Sequence, residues 1–140
     1  MNNLSENPFD WVVDYQMTDE EAASIAEPEW IVPNLIVSGH SVAIVAESNA
    51  GKTAIMLSLI PQMVHRGYRV YYINADAGAS EVKRLREHSK QYCYELLLPD
   101  LKSGCTADKI LGLLVATAYA AEDLSGSIIV FDTLKKFVDV

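Results

Sequence analysis

One eight-residue segment constrains the fold of this chain more than any other. It reads Ala-Glu-Ser-Asn-Ala-Gly-Lys-Thr at residues 46–53, directly after an aliphatic run at residues 41–45. A tight loop between a buried strand and a helix can turn its backbone N–H groups inward, where they bind phosphate at the positive end of the helix. The segment therefore predicts a phosphate-binding loop, preceded by a strand at 41–45 and followed by a helix at about 52–66.

Most residues of this loop have a predicted role in holding a nucleotide and its metal ion. Lys52 provides positive charge for the β- and γ-phosphates, and the Thr53 hydroxyl is a ligand for Mg²⁺. Ala46 stands where glycine is commonest, and its small side chain is accepted there if φ stays negative. The backbone that is predicted to cradle the phosphates is that of Glu47, Ser48, Asn49, Ala50, Gly51 and Lys52.

Further apolar runs alternate with helix-like segments along the rest of the chain. Strands are predicted at residues 68–74, 94–98 and 127–131, and helices at about 81–91 and 107–122. Ser80 and Thr106 are the predicted N-caps of these two helices, and Pro61 is expected to strain or kink the helix at 52–66. Alternating strands and helices predict an α/β fold, a parallel sheet with helices on both faces.

Two aspartates stand at the carboxyl ends of predicted strands, the edge at which parallel sheets bind ligands. Asp132 follows the run at 127–131 and is predicted to hold Mg²⁺ together with Thr53; the alternative is a cap for a helix or turn. Asp76 follows the run at 68–74 and is a candidate general base for an attacking water. For Asp76 the alternative is a cap for the turn that follows it, and Asn74 is a competing polar group at the same place.

Acidic residues are concentrated at the N-terminal end. Residues 1–51 contain nine acidic side chains and no Lys or Arg, whereas residues 52–140 are almost neutral, so the formal charge of -8 belongs to one end. We predict an acidic appendage at 1–29, with a short helix at about 19–26 capped by Thr18, and a folded core at 30–140. The charge excludes uniform electrostatic binding of nucleic acid but leaves open a nucleic-acid partner for the core.

Cysteine usage and hydropathy indicate the compartment. The two cysteines, Cys93 and Cys105, lack the spacing of a zinc site or a disulfide framework, which fits a reducing environment. No run is long and apolar enough to predict a membrane span, and the N-terminus lacks the pattern of a signal peptide. We therefore expect a cytoplasmic protein without a membrane partner.

Taken in order, these motifs resemble those of RecA-type P-loop ATPases. The resemblance covers about residues 30–140 and rests on Trp-Ile-Val-Pro, the loop at 46–53, Tyr-Tyr-Ile-Asn-Ala-Asp ending at Asp76, and Ile-Ile-Val-Phe-Asp-Thr-Leu around Asp132. It is strongest for the branch that contains RepA-like hexameric replicative helicases and related ATPases of phages and mobile elements. The resemblance implies an ATPase that uses ATP and Mg²⁺, acts as a homo-oligomeric ring in replication or mobilisation, and has single-stranded DNA as a candidate partner.

The chain departs from that family at two points. The family activates water with a glutamate, and Asp76 at the matching position is one methylene shorter. In the family, the strand after the one that ends at Asp132 lies between that strand and the strand before the phosphate-binding loop. Here eight residues follow Asp132. We therefore expect that a longer chain or another chain completes the sheet.

Three hypotheses follow from the motifs. The first is an ATPase in which Lys52 and Asp76 act in catalysis. The second is a nucleotide-binding or assembly module without turnover, which the aspartate at position 76 favours. The third is a small-molecule phosphotransferase. It would need an arginine-bearing lid after Asp132, and it ranks last because residues 133–140 contain no arginine.

Overall fold

The computed structural model describes residues 7–121 and 123–137. Its α-helices are α1 (Asp19–Ser24), α2 (Lys52–His65), α3 (Val82–Tyr92) and α4 (Ala107–Ala120). Its strands are β1 (Trp30–Val32), β2 (Ile36–Val37), β3 (Arg69–Asn74), β4 (Glu95–Leu97) and β5 (Ser127–Asp132). Three short 3₁₀ helices, Asp10–Tyr15, Ala79–Glu81 and Leu134–Lys136, complete the regular structure of these residues.

A parallel three-stranded sheet forms the centre of the molecule. Its strand order is β4-β3-β5, so β3 is hydrogen-bonded on both edges. The register aligns Asn74 with Asp132, which brings the carboxyl ends of β3 and β5 side by side. The predicted α/β architecture is confirmed, and the sheet places the two strands that carry polar terminal residues next to each other.

One face of the sheet packs against α2 and α3. Side chains alternate along a strand, so Val70 and Tyr72 of β3 lie on the same face, and both are almost fully buried there. They belong to one apolar cluster with Ile60 and Met63 of α2 and Leu85 of α3. This cluster fixes the N-terminus of α2 above the carboxyl end of the sheet.

The opposite face packs against α4. Ile73 of β3 is fully buried in a second cluster with Ile110 of α4 and Phe137, which follows β5. The ring of Phe137 meets that of Phe131 edge to face, with centroids 4.8 Å apart. Helices therefore cover both faces of the sheet, as the alternating pattern predicts.

The prediction of a strand at residues 41–45 is wrong. Residues 41–47 have no regular secondary structure, and Val45 is 92% exposed. A strand needs a neighbour for its backbone hydrogen bonds, and within residues 7–121 and 123–137 no strand lies beside β5 on the edge away from β3. The aliphatic run has the composition of a strand, but the described residues provide no neighbouring strand with which it could pair.

Helix starts are predicted correctly at two of three positions. Thr18 forms a capping box with Glu21 at the start of α1, and the Thr106 hydroxyl accepts a hydrogen bond from the Lys109 amide at the start of α4. Ser80 does not cap α3, because the 3₁₀ helix Ala79–Glu81 leads into α3 and Ser80 lies within it. Pro61 lies inside α2, which continues through it as one helix to His65.

The N-terminal segment contacts the core at its C-terminal end, around residues 29–30. The Tyr68 hydroxyl donates to a Glu29 carboxylate oxygen at 2.8 Å, and an Arg66 guanidinium nitrogen donates to the Trp30 carbonyl at 2.9 Å. Before Glu29, the described residues are all exposed except the half-buried Val12. Within the described ranges, none of the helices combines the length and apolarity needed to cross a lipid bilayer.

Candidate functional site

The loop before α2 turns sharply enough to require glycine at its last position. Gly51 is the residue before the helix and has φ of +90°, in the left-handed region. A Cβ built on it would meet nothing within 4 Å, so glycine is required here by backbone conformation rather than by space. Asn49 also has positive φ, +63°, a conformation that asparagine tolerates better than most residues. These two residues turn the chain into the N-terminus of α2.

Lys52 folds back across this loop. Its Nζ donates to the carbonyl oxygens of Ala46 at 2.8 Å and Glu47 at 2.7 Å. The ammonium group therefore lies over the loop that is predicted to receive phosphate. Among the cradle amides, that of Ala50 donates to the Glu47 carbonyl at 3.2 Å, which closes the turn.

The next residue of α2 contacts the end of β5. The Thr53 hydroxyl donates to Asp132 Oδ2 at 2.6 Å, which joins residues 79 positions apart in the sequence. Asp132 is 7% exposed and is one of only three buried polar residues in the described part of the chain. A hydroxyl and a carboxylate in contact at a helix N-terminus form a hard-oxygen donor set, which suits Mg²⁺.

A second hydroxyl reaches the same carboxylate oxygen from beneath. Tyr72, fully buried in β3, donates to Asp132 Oδ2 at 2.7 Å. Burial, reinforced by the hydrogen bond to Asp132, holds the pKa of Tyr72 far above its ordinary value, so its hydroxyl keeps its proton. Asn74 Nδ2 donates to the Tyr72 hydroxyl at 3.0 Å, and Asn74 Oδ1 accepts from the Asp76 backbone amide at 3.0 Å.

Asp76 itself lies just beyond the end of β3, with its side chain exposed. The amide of its neighbour Ala75 donates to the Asp132 carbonyl at 2.8 Å, which continues the pairing of the two strands past their ends. The structure thus brings Lys52, Thr53, Asp76 and Asp132 to one edge of the sheet. The Asp76 carboxylate is open to solvent on that edge, where a water molecule can reach it.

Comparison with known proteins places the chain in a family. A family model described as an AAA domain matches residues 9–139, nearly the whole chain. The chain belongs to this family of AAA-type P-loop ATPases. No curated protein and no solved structure matches the chain.

The residues of the AAA domain fit a nucleotide with its magnesium ion. The fit rests on the oxygen donor set of Thr53 and Asp132 and on the lysine that lies over the loop. A bound Mg²⁺ ion would supply positive charge against the phosphate oxygens. Nucleotide binding is the common property of the AAA family, and these residues provide the groups that such a ligand needs.

Sequence reasoning missed Tyr72 as a member of this site and named Asn74 only as a polar group competing with Asp76. Tyr72 lies in a β-branched and aromatic run, in which tyrosines usually serve packing. The signal that was available is the spacing of Tyr72 and Asn74, because two residues two positions apart in a strand point to the same face. Asn74, a polar residue at the end of an apolar strand, was the clearest indication of polar contacts on that face.

Proposed function

We propose that this AAA domain binds ATP with Mg²⁺ and hydrolyses it. The single observation that carries the proposal is the 2.6 Å hydrogen bond between Thr53 and Asp132, because it joins the helix of the phosphate-binding loop to the acidic end of β5. Two sequence motifs that predict one nucleotide site are thereby in direct contact. A chance Gly-Lys-Thr sequence in a surface loop would not be expected to meet a buried carboxylate.

The proposed roles follow from the chemistry of each side chain. Lys52 exchanges its two carbonyl partners for the β- and γ-phosphates, an exchange favoured because charged pairs form stronger hydrogen bonds. Thr53 and Asp132 hold the metal ion. Asp76 accepts the proton of the water that attacks the γ-phosphorus, and ADP and phosphate leave. The backbone from Glu47 to Lys52 surrounds the phosphates.

Lys52→Ala tests nucleotide binding. We expect this variant to abolish ATP binding in an equilibrium titration, because no other lysine lies on the loop at 46–53. Lys83→Ala, which removes an exposed lysine from α3, is the matched control and should bind like the unmodified chain. Unchanged ATP affinity in Lys52→Ala would contradict the proposal.

A nucleotide-binding or assembly module without turnover is the second candidate. It is favoured by Asp76, whose side chain is a methylene shorter than the glutamate of the resembling family. Phosphate release from the 140-residue chain, measured with and without single-stranded DNA, separates the two candidates. Phosphate release that exceeds the rate in buffer and is lost in Lys52→Ala supports the ATPase. ATP binding without such release supports the module.

The wider context of the proposal comes from the sequence resemblance. We place the chain with RepA-like replicative helicases and related ATPases, acting in the cytoplasm as a ring of identical subunits on single-stranded DNA. We also propose that residues 30–140 form the ATPase core and residues 1–29 an acidic appendage. The particle mass in the presence of MgATP tests the ring, and stimulation of phosphate release by DNA tests the partner.

A further inference from the structure

A directed chain of hydrogen bonds runs beneath the candidate site from the loop of Asp76 to Asp132. Its members are the Asp76 amide, the Asn74 side chain, the Tyr72 hydroxyl and the Asp132 carboxylate. Each donor–acceptor distance lies between 2.7 and 3.0 Å. Asn74 is 4% exposed and Tyr72 is fully buried, so water does not compete for these contacts.

The direction of every bond in this chain is fixed by its first member. A backbone amide can only donate, so the Asn74 atom facing Asp76 is the carbonyl oxygen Oδ1. The amide nitrogen Nδ2 then faces Tyr72, and it too can only donate. The Tyr72 oxygen therefore accepts from Asn74 and directs its own proton to Asp132, which accepts at the end of the chain.

Asp132 is held through one oxygen atom by two donors. Thr53 and Tyr72 both donate to Oδ2, and among the described residues no hydrogen bond is made to Oδ1. Two fixed donors on one oxygen hold the plane of the carboxylate and leave the other oxygen free. Thr53 is itself a proposed metal ligand, so Tyr72 is the donor that stays on Asp132 whatever Thr53 contacts.

We infer that Tyr72 is a positioning residue for the metal-binding carboxylate, and that with Asn74 it ties Asp132 to the loop that carries Asp76. This inference rests on the proposed function, because it assigns Asp132 to a metal ion that accompanies the nucleotide. The hydroxyl of Tyr72 contacts Asp132 and Asn74, so it would influence a metal ion only through the carboxylate. By holding Oδ2, it leaves Oδ1 of Asp132 as the oxygen proposed to face the metal ion.

Tyr72→Phe tests this role, with Tyr94→Phe as the matched control. Tyr94 is also buried, and its ring packs against that of Tyr72 with centroids 6.1 Å apart. Its hydroxyl is hydrogen-bonded to His88 instead of Asp132. Binding of a fluorescent N-methylanthraniloyl ATP is titrated in EDTA and at a series of Mg²⁺ concentrations. This readout does not depend on turnover.

We expect Tyr72→Phe to bind the nucleotide in EDTA within about twofold of the unmodified chain. The Mg²⁺ concentration for half-maximal enhancement of binding should rise about tenfold, the effect of losing one hydrogen bond to a charged group. Tyr94→Phe should leave this concentration unchanged. A purely structural role for Tyr72 would instead weaken binding equally with and without Mg²⁺.

A second variant covers the case in which Tyr72→Phe does not fold, as judged by near-ultraviolet circular dichroism. Asn74→Ala keeps Tyr72 but removes the donor that directs its proton, and should raise the same Mg²⁺ concentration about threefold. A wild-type Mg²⁺ dependence in the folded variants overturns the inference and leaves the proposed function standing. An unmodified chain that binds no nucleotide overturns both.

Discussion

Asp76 combines an exposed acidic side chain with a backbone amide anchored to Asn74. The anchored backbone fixes where the carboxylate starts, so the length of the side chain decides how far it reaches. A glutamate at this position would extend the reach by one methylene without altering the anchor. The rate of ATP hydrolysis should therefore depend on side-chain length at position 76, and ATP affinity should not.

We expect Asp76→Glu to raise the rate of phosphate release about threefold or more, because the carboxylate moves closer to an attacking water. Asp76→Asn, which keeps the size and removes the base, should lower the rate at least about tenfold. Both variants should bind ATP like the unmodified chain. Equal rates in the aspartate and asparagine forms would remove Asp76 from the reaction.

The sequence could predict which of these residues meet but not how they are held. Lys52, Thr53, Asp76 and Asp132 were predicted from loop chemistry and from strand ends, and they lie at one edge of the sheet. Their catalytic, phosphate-binding and metal-binding roles stay predictions. The hydroxyl of Tyr72 was missed because the sequence does not reveal the register Asn74↔Asp132 that brings β3 against β5.

A half-buried histidine connects helix α3 to the residue that precedes strand β4. His88 Nδ1 lies 3.0 Å from the Tyr94 hydroxyl, and its ring contacts those of Tyr92 and Tyr94. Burial, followed by the nearby positive charge of Arg84, lowers the pKa of His88 below its ordinary value. Burial also raises the pKa of Tyr94 to about 12, so its hydroxyl stays protonated throughout this range.

The fold should therefore lose stability as the pH falls below about 6.5, because the unfolded chain then binds a proton that the folded His88 resists. The stability that a neutral His88 preserves is fully present above the unfolded pKa. It decreases as the pH falls from the unfolded pKa through the folded pKa. His88→Gln should reduce the drop in Tm between pH 7.5 and 5.5. A thermal unfolding series at three pH values checks this, and identical slopes would contradict it.

Elements that pack locally were predictable, whereas one that needs a distant partner was not. Helix α4 follows from Thr106 and an apolar run, and β3 from β-branched and aromatic residues flanked by Gly67. The aliphatic residues 41–45 carry an equally strong strand pattern. Pattern alone cannot tell whether a neighbouring strand is available, and here the described chain supplies none.

For the whole molecule, the question is whether the acidic end belongs to the folded unit. Residues 1–28 contain seven of the 19 acidic residues and no Lys or Arg. The exposure of nearly all described residues before Glu29 indicates that this segment contributes little to the core. Glu29 is bound to the core, because its carboxylate accepts from Tyr68 and its carbonyl accepts from the Ser38 amide. A deletion should therefore end just before Glu29.

Deleting residues 1–28 should leave ATP affinity within about twofold and shift Tm by no more than a few degrees, because the described part of this segment, residues 7–28, is almost entirely exposed. The proposed division between appendage and core predicts this outcome. Titration and thermal unfolding of the shortened chain measure both quantities. Loss of nucleotide binding would instead make the acidic segment part of the domain.

The double pairing of β3 has a consequence for how the molecule opens in solution. Amide protons exchange with solvent most slowly where hydrogen bonds are buried on both sides, and quickly where backbone is exposed and unpaired. β3 belongs to the first kind, and residues 41–47 belong to the second. The site thus spans both extremes of local stability. Its lysine follows closely on a segment without paired backbone, while its tyrosine lies on the one strand of this sheet that is paired on both edges.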